Sequence, residues 1–334
     1  MERGNIMHRR IESAMTMMTD PRHFKLRLFI EGNIIGVATG MVIALFRYLL
    51  ELSEEYLPVL YRWLPEHIAW IPVWFLLLAI CGWVLYRIVR RDGMTSGSGI
   101  PQIKGILLGE MDMNWARVLV LKFFGAVLGI GAGMSLGREG PSVQLGACLG
   151  QGLGRLTHRS YAESHYLLTA GAGAGLAAAF NAPLAGVIFC LEELTKNFSA
   201  FVLMGAISAA VTATTVTQYF FGMQPVFHMG VVPVIDTGHM YILLIVLGAF
   251  VGLLGLAFNP MLTRSQDFYK RIPARCRLLV PLFCAGILGF LLPEILGGGS
   301  RLVDSLVVTN YTMAFLVLLL VGKFLFTMIC FGSG

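Results

Sequence analysis

The sequence predicts an all-α integral membrane protein built from tilted and broken helices. Three observations carry that prediction: an apolar composition, a series of apolar windows of membrane-spanning length, and basic residues gathered at the ends of those windows. Of the 334 residues 56% are hydrophobic and 13% charged, which leaves too little polar surface to wrap a soluble domain. Windows able to cross a hydrocarbon layer of about 30 Å fall near 28–50, 70–89, 115–136, 165–195, 199–221, 240–258, 278–292 and 311–331. Many of them contain glycine or proline, so the helices are expected to be interrupted or tilted. The net charge of +6 sits in clusters (Arg22, Lys25, Arg27; Arg87, Arg90, Arg91; Arg155, Arg159; Lys270, Arg271, Arg275, Arg277) that flank apolar windows. That placement is topological and points away from nucleic acid.

Residues 1–27 carry a basic start (Arg3, His8, Arg9, Arg10) and no cleavable leader pattern, so they read as a cytoplasmic or interfacial segment. The first basic cluster precedes the first window and the second follows the second, which places the N-terminus on the cytoplasmic side. The six cysteines are scattered without CxxC or Cys/His spacing, and read as packing residues rather than metal ligands or disulfide partners.

After the second window comes GSGIPQIKG, Gly97 to Gly105. Its glycines free the backbone for a tight turn, Pro101 suits a helix start, and Ser98 stands where it can cap that helix. A helix end of this kind gathers free N–H groups and partial positive charge, a ready place for an anion. An ordinary loop cap at the membrane surface uses the same residues.

The window at 115–136 leads into GREGP, Gly137 to Pro141, which opens another small-residue helix, SVQLGACLGQGLG. Glu139 there is an ionisable residue between nearly uncharged stretches, and such residues in membrane segments are functional candidates by default. A carboxylate can take the place of a small anion at a helix start and vacate it on protonation. The plainer reading is a surface pair of Glu139 with Arg138, or a helix-start carboxylate.

The window at 165–195 contains GAGAGLAAAFNAPLAGVIFCLEEL, a small-residue helix, an expected break at Asn181-Ala182-Pro183, and a second apolar helix ending in Glu192 and Glu193. Small faces let helix backbones approach closely. The terminal carboxylates read either as interfacial charges or, if Glu193 is buried, as a proton entry point.

The windows beyond residue 221 read as a second copy of the first ones. GVATGMVIALFR at Gly36 matches GAFVGLLGLAFN at Gly248 with an offset of 212, SGSG at 96–99 loosely matches GGGS at 297–300, and KFFGAVLGIGAG from Lys122 matches KFLFTMICFGSG from Lys323. The shared order argues for two repeats, 28–221 and 240–334, the second expected to stop before its own counterpart of GREGP. Lys122 and Lys323 read as repeat-related structural residues that snorkel or pair.

Taken together, GSGIPQIKG, GREGPSVQLGA and GLAAAFNAPLAGVIFCLEE resemble the three N-terminal signatures of the CLC chloride channel and transporter family. The resemblance covers essentially the whole chain. It implies a CLC-type inverted repeat of tilted and broken helices, here with the second repeat truncated, in a multi-pass protein of the plasma or inner membrane. It further implies anion binding by Gly97, Ser98, Gly99, Gly137, Arg138, Glu139 and Gly140, with the Ser98 hydroxyl on the central anion. Glu139 becomes the external gate and proton acceptor and Glu193 the internal proton-transfer residue. The transported partners would be chloride and protons, with no cofactor or metal, no enzymatic activity and a homodimeric assembly. An acidic residue at 193 fits an exchanger, the serine fits chloride rather than nitrate, and GREGP departs from the fluoride-selective pattern. The alternatives are a passive gated chloride channel and a non-transporting membrane fragment.

Overall fold

The computed structural model describes residues 21–223 and 238–334. The basic start read as an interfacial segment lies outside the described residues. Helix α1 runs Pro21–Trp63 with Pro58 inside it, α2 Ile71–Arg91, α3 Ile100–Leu108, α4 Trp115–Gly131, α5 Glu139–Leu156, α6 Tyr161–Phe180, α7 Pro183–Phe189 and α8 Ala200–Phe221. Then follow α9 Gly238–Lys270, α10 Leu279–Leu291, α11 Ser300–Val308 and α12 Met313–Gly332, and no strand occurs among the described residues. Six stretches are long and apolar enough to cross a membrane: His23–Glu66, Ile68–Arg91, Ala200–Phe221, Met240–Lys270, Ala274–Leu291 and Met313–Gly332.

Two predicted windows are absent from that set. In 115–136 the helix α4 ends at Gly131 after 17 residues, where the backbone turns through Gly133 at φ 95°. In 165–195 the chain breaks where expected: Asn181 takes the left-handed conformation at φ 56° and Pro183 starts α7, the usual chemistry of a helix stop and restart. A π-helical turn over Cys190–Thr195 then ends at Lys196.

The described residues form two compact units. The first comprises 21–52, 88–128 and 137–223, and the second 53–87, 129–136 and 238–334. In the first, α5 and α6 pack backbone on backbone. A methyl group at Gly146 would strike the Gly171 carbonyl, one at Gly150 the Leu167 carbonyl, and one at Gly175 the Ser142 carbonyl. This is the close approach that small-residue faces permit, and it buries α5 from Gly140 to Cys148 on every side. Helix α1 meets α8 in the same way: Gly32 lies at Ser208, Gly36 against Ala209 and Thr212, and Gly40 against Ala213 and Val216. Two ion pairs, Arg159 with the buried Glu31 and Arg27 with Glu163, tie α1 to the loop and helix that follow α5. Part of the basic charge read as topological is therefore spent internally.

In the second unit Tyr61 is the anchor. Its hydroxyl donates to the Ala285 carbonyl at 3.2 Å and accepts from Trp74 Nε1 at 3.2 Å, and its ring fills the space left by Gly289. Each such hydrogen bond contributes about 1 kcal/mol. Helix α9 is held to α12 where Ser265 Oγ donates to the Met328 carbonyl at 2.9 Å.

Candidate anion site

The Ser98 turn is built by its own sequence. Asp92 Oδ1 accepts from the Met94 N–H at 3.1 Å and starts a 3-10 turn over Gly93–Thr95. Gly97 and Gly99 then take φ values of 65° and 90°, the left-handed region that only glycine enters without strain. The expected cap shifts by one residue: Gly99, not Ser98, occupies the N-cap position of α3. The Ser98 hydroxyl stands just outside, 3.4 Å from the Ile100 N–H, at the far limit of a hydrogen bond. It is thus weakly engaged by its own helix.

Helix α5 begins at Glu139. The Arg138 carbonyl accepts from the Ser142 N–H at 3.1 Å and from Ser142 Oγ at 2.8 Å, which fixes the first turn. Gly140 is buried against the Ser98 turn, where an added methyl would lie 2.6 Å from the Ser98 carbonyl oxygen and 2.9 Å from its Cβ. The half-buried Glu139 side chain folds back over Gly137, whose added methyl would strike Glu139 Oε2. The structure therefore gathers the Gly97–Ser98–Gly99 turn and the Gly137–Gly140 segment at one place, where two helix N-termini and one carboxylate meet.

Two residues of this place were not assigned to it from sequence. Gln144, fully buried on α5, donates from Nε2 to the Met94 carbonyl at 2.7 Å and packs against Gly99. Lys122, 5% exposed on α4, donates from Nζ to the Thr95 carbonyl at 3.0 Å and the Gly97 carbonyl at 2.6 Å. Lys122 neither snorkels nor forms a surface pair. The available signal was a lone lysine in an apolar helix and a lone glutamine in a small-residue helix.

Glu193 lies outside this cluster. It is exposed on the π-helical turn, outside the six spanning stretches, and pairs with Lys104 of α3. The hydrogen bond from Lys104, and then its charge, hold the Glu193 carboxyl below the usual range. Glu192 is exposed as well. Helix α3 links the two places, with the Ser98 turn at its start and Lys104 one turn on.

The second unit holds a copy of the turn. A 3-10 turn over Pro293–Ile295 leads to Gly297 at φ 67°, Gly299 at φ 95° and the nine-residue helix α11. Lys323 Nζ donates to the Ile295 carbonyl at 2.9 Å and the Gly297 carbonyl at 2.7 Å. The register differs by one from the letter match of SGSG with GGGS: the left-handed glycines align 97 with 297 and 99 with 299, so Ser98 corresponds to Gly298. Backbone conformation sets the correspondence, because a left-handed position admits glycine and tolerates little else.

A family model described as voltage gated chloride channel matches residues 75–334. The H(+)/Cl(-) exchange transporter ClcA of Vibrio cholerae serotype O1 is 36% identical over 317 residues, 90% of this chain and 66% of that protein. The chain thus spans just under two thirds of the length of this relative. The X-ray structure of a slow cyanobacterial Cl-/H+ antiporter superposes with a TM-score of 0.83 at 31% identity, covering 92% of this chain and 74% of the other. That of a CLC-type fluoride/proton antiporter gives 0.76 at 25% identity, covering 92% and 75%. With most of its length matched by the family model and its fold shared with these antiporters, the chain belongs to the voltage-gated chloride channel (CLC) family.

Proposed function

We propose that this protein exchanges chloride for protons across a membrane, with Glu139 as the gate that competes with the anion. The observation that carries the reading is the fold-back of Glu139 over Gly137 at the start of α5, beside the Ser98 turn. Chloride and a carboxylate are both anions and seek the same concentration of backbone N–H groups at a helix start. While Glu139 is ionised it occupies that place itself. On protonation it loses its charge and its claim, so proton uptake and chloride entry become linked at one residue. No cationic side chain need coordinate the chloride directly, which leaves the ion free to depart. Glu193, exposed and paired with Lys104, is the water-facing end from which protons reach the interior. The names of the relatives and the acidic residue at 193 support exchange over passive conduction. In the same reading the protein is a homodimer with a cytoplasmic N-terminus, the side indicated by the basic clusters.

In proteoliposomes, an imposed chloride gradient is expected to drive protons uphill. Glu193→Ala should abolish proton movement and spare chloride flux, while Glu139→Gln should remove proton coupling and the pH dependence of chloride flux together. Chloride flux without proton movement in the unmodified protein would make it a channel, and absence of any chloride flux would remove the transport reading altogether.

A further inference from the structure

We propose that Lys122 is a positioning residue that sets the polarity of the Ser98 turn, turning its carbonyl oxygens away from the anion and its N–H groups toward it. The inference rests on the anion-site reading above and adds a residue that does not touch the ion. In a trans peptide the C=O and the following N–H point in opposite directions. When Lys122 Nζ captures the Gly97 carbonyl at 2.6 Å, the Ser98 N–H is fixed on the far side of that peptide plane; capture of the Thr95 carbonyl at 3.0 Å holds the lead-in, whose Ser96 N–H donates to the Gly93 carbonyl at 3.2 Å. The constraint matters because Gly97 and Gly99 carry no side chains that would oppose a peptide flip, and a flip would aim an oxygen at an anion. Lys122 also brings a positive charge into a buried place without entering the path of the ion. At low dielectric that charge acts over several ångströms.

The second unit supplies an internal control. Lys323 makes the same pair of hydrogen bonds, to Ile295 and Gly297, but the residue between the left-handed glycines is Gly298, and Glu54 Oε1 lies 3.4 Å from where its methyl would be. The Glu54 carboxylate therefore stands beside the turn that Lys323 holds, and the candidate anion site beside the one that Lys122 holds. The two lysines should therefore share a stabilising role and differ in their effect on chloride.

The test is chloride titration by calorimetry on the full chain in detergent, paired with thermal unfolding. The unmodified protein should bind chloride. Lys122→Met should weaken binding at least tenfold, whereas Lys323→Met should leave it within twofold, although both lower the unfolding midpoint. Chloride binding unchanged in Lys122→Met, or weakened equally in the two variants, would overturn the proposal and leave the anion site standing. No chloride binding by the unmodified protein would overturn the anion-site reading itself, and this inference with it. Should Lys122→Met fail to fold, Lys122→Gln, which keeps a donor but loses the charge, should weaken binding by more than twofold and less than tenfold, and binding within twofold of the unmodified protein would overturn the proposal.

Discussion

Around Ser98 a helix start meets a second helix start, while around Gly298 the corresponding helix start meets the Glu54 carboxylate. The two turns share their 3-10 lead-in, two left-handed glycines, a nine-residue helix and a lysine that binds two carbonyls. They differ in what surrounds them. At the first, Gln144 presses on Gly99 and Gly140 on Ser98; at the second, the nearest atoms to Gly299 belong to Lys323 at 3.6 Å. Among the described residues the same local fold is thus bordered by a carboxylate in one unit and by a second helix start in the other. The repeated small-residue stretch behaves likewise. Gly36 and Gly40 are packed against α8, whereas among the described residues nothing lies within 4 Å of a methyl placed at Gly248 or Gly252.

This comparison can be broken by substitution, and the glycines give the largest effects. Gly99→Ala forces an L-residue into the left-handed region, at about 1–2 kcal/mol, and drives its methyl into Gln144, adding about 1–3 kcal/mol. Gly299→Ala has the backbone cost alone, so its thermal unfolding midpoint should fall distinctly less. Equal falls would mean that Gln144 swings aside without cost and that the first turn is no more tightly held than the second.

A smaller contrast separates Gly140→Ala from Gly298→Ala. The first places a methyl 2.6 Å from the Ser98 carbonyl and should cost about 1–3 kcal/mol as α5 is pushed off the turn. The second meets its nearest atom at 3.4 Å, ordinary van der Waals contact, and should stay within about 0.5 kcal/mol. The smallest stability effect is expected from Ser98→Gly, which converts the first turn to the glycine pattern of the second. Unfolding should shift by less than about 1 kcal/mol, because the Ser98 hydroxyl makes only a 3.4 Å contact within its own helix end. Chloride affinity should nevertheless fall severalfold in a calorimetric titration; an unchanged affinity would remove the hydroxyl from the site.

Much of this organisation was legible from residue types. The break at Asn181-Ala182-Pro183 follows from local preferences of asparagine and proline, and the glycine turns from the left-handed positions they permit. The candidate residues 97–99 and 137–140 were named through the resemblance of both motifs to the family's signatures, and of their glycines only Gly140 meets another segment's backbone closely. The one-residue register error arose because letters were matched where conformations should have been. Lys122 and Gln144 escaped assignment because their partners are backbone carbonyls 25 to 50 positions away, and a carbonyl carries no residue identity for sequence to reveal. The state of Glu193 stayed open between surface and interior, since nothing in LEEL dictates which side of the turn faces water.

By itself the sequence determined what depends on composition and neighbours: a membrane-spanning helical chain, the places where helices stop and restart, and glycine turns fit to present helix ends. Tertiary structure alone decided that Gly140 packs on the Ser98 turn, where the Glu139 carboxylate rests, and that a buried and a half-buried lysine hold carbonyls rather than reach for water. These are outcomes of packing between segments distant in the chain, where close approach of backbones selects partners by shape and by unpaired polar groups.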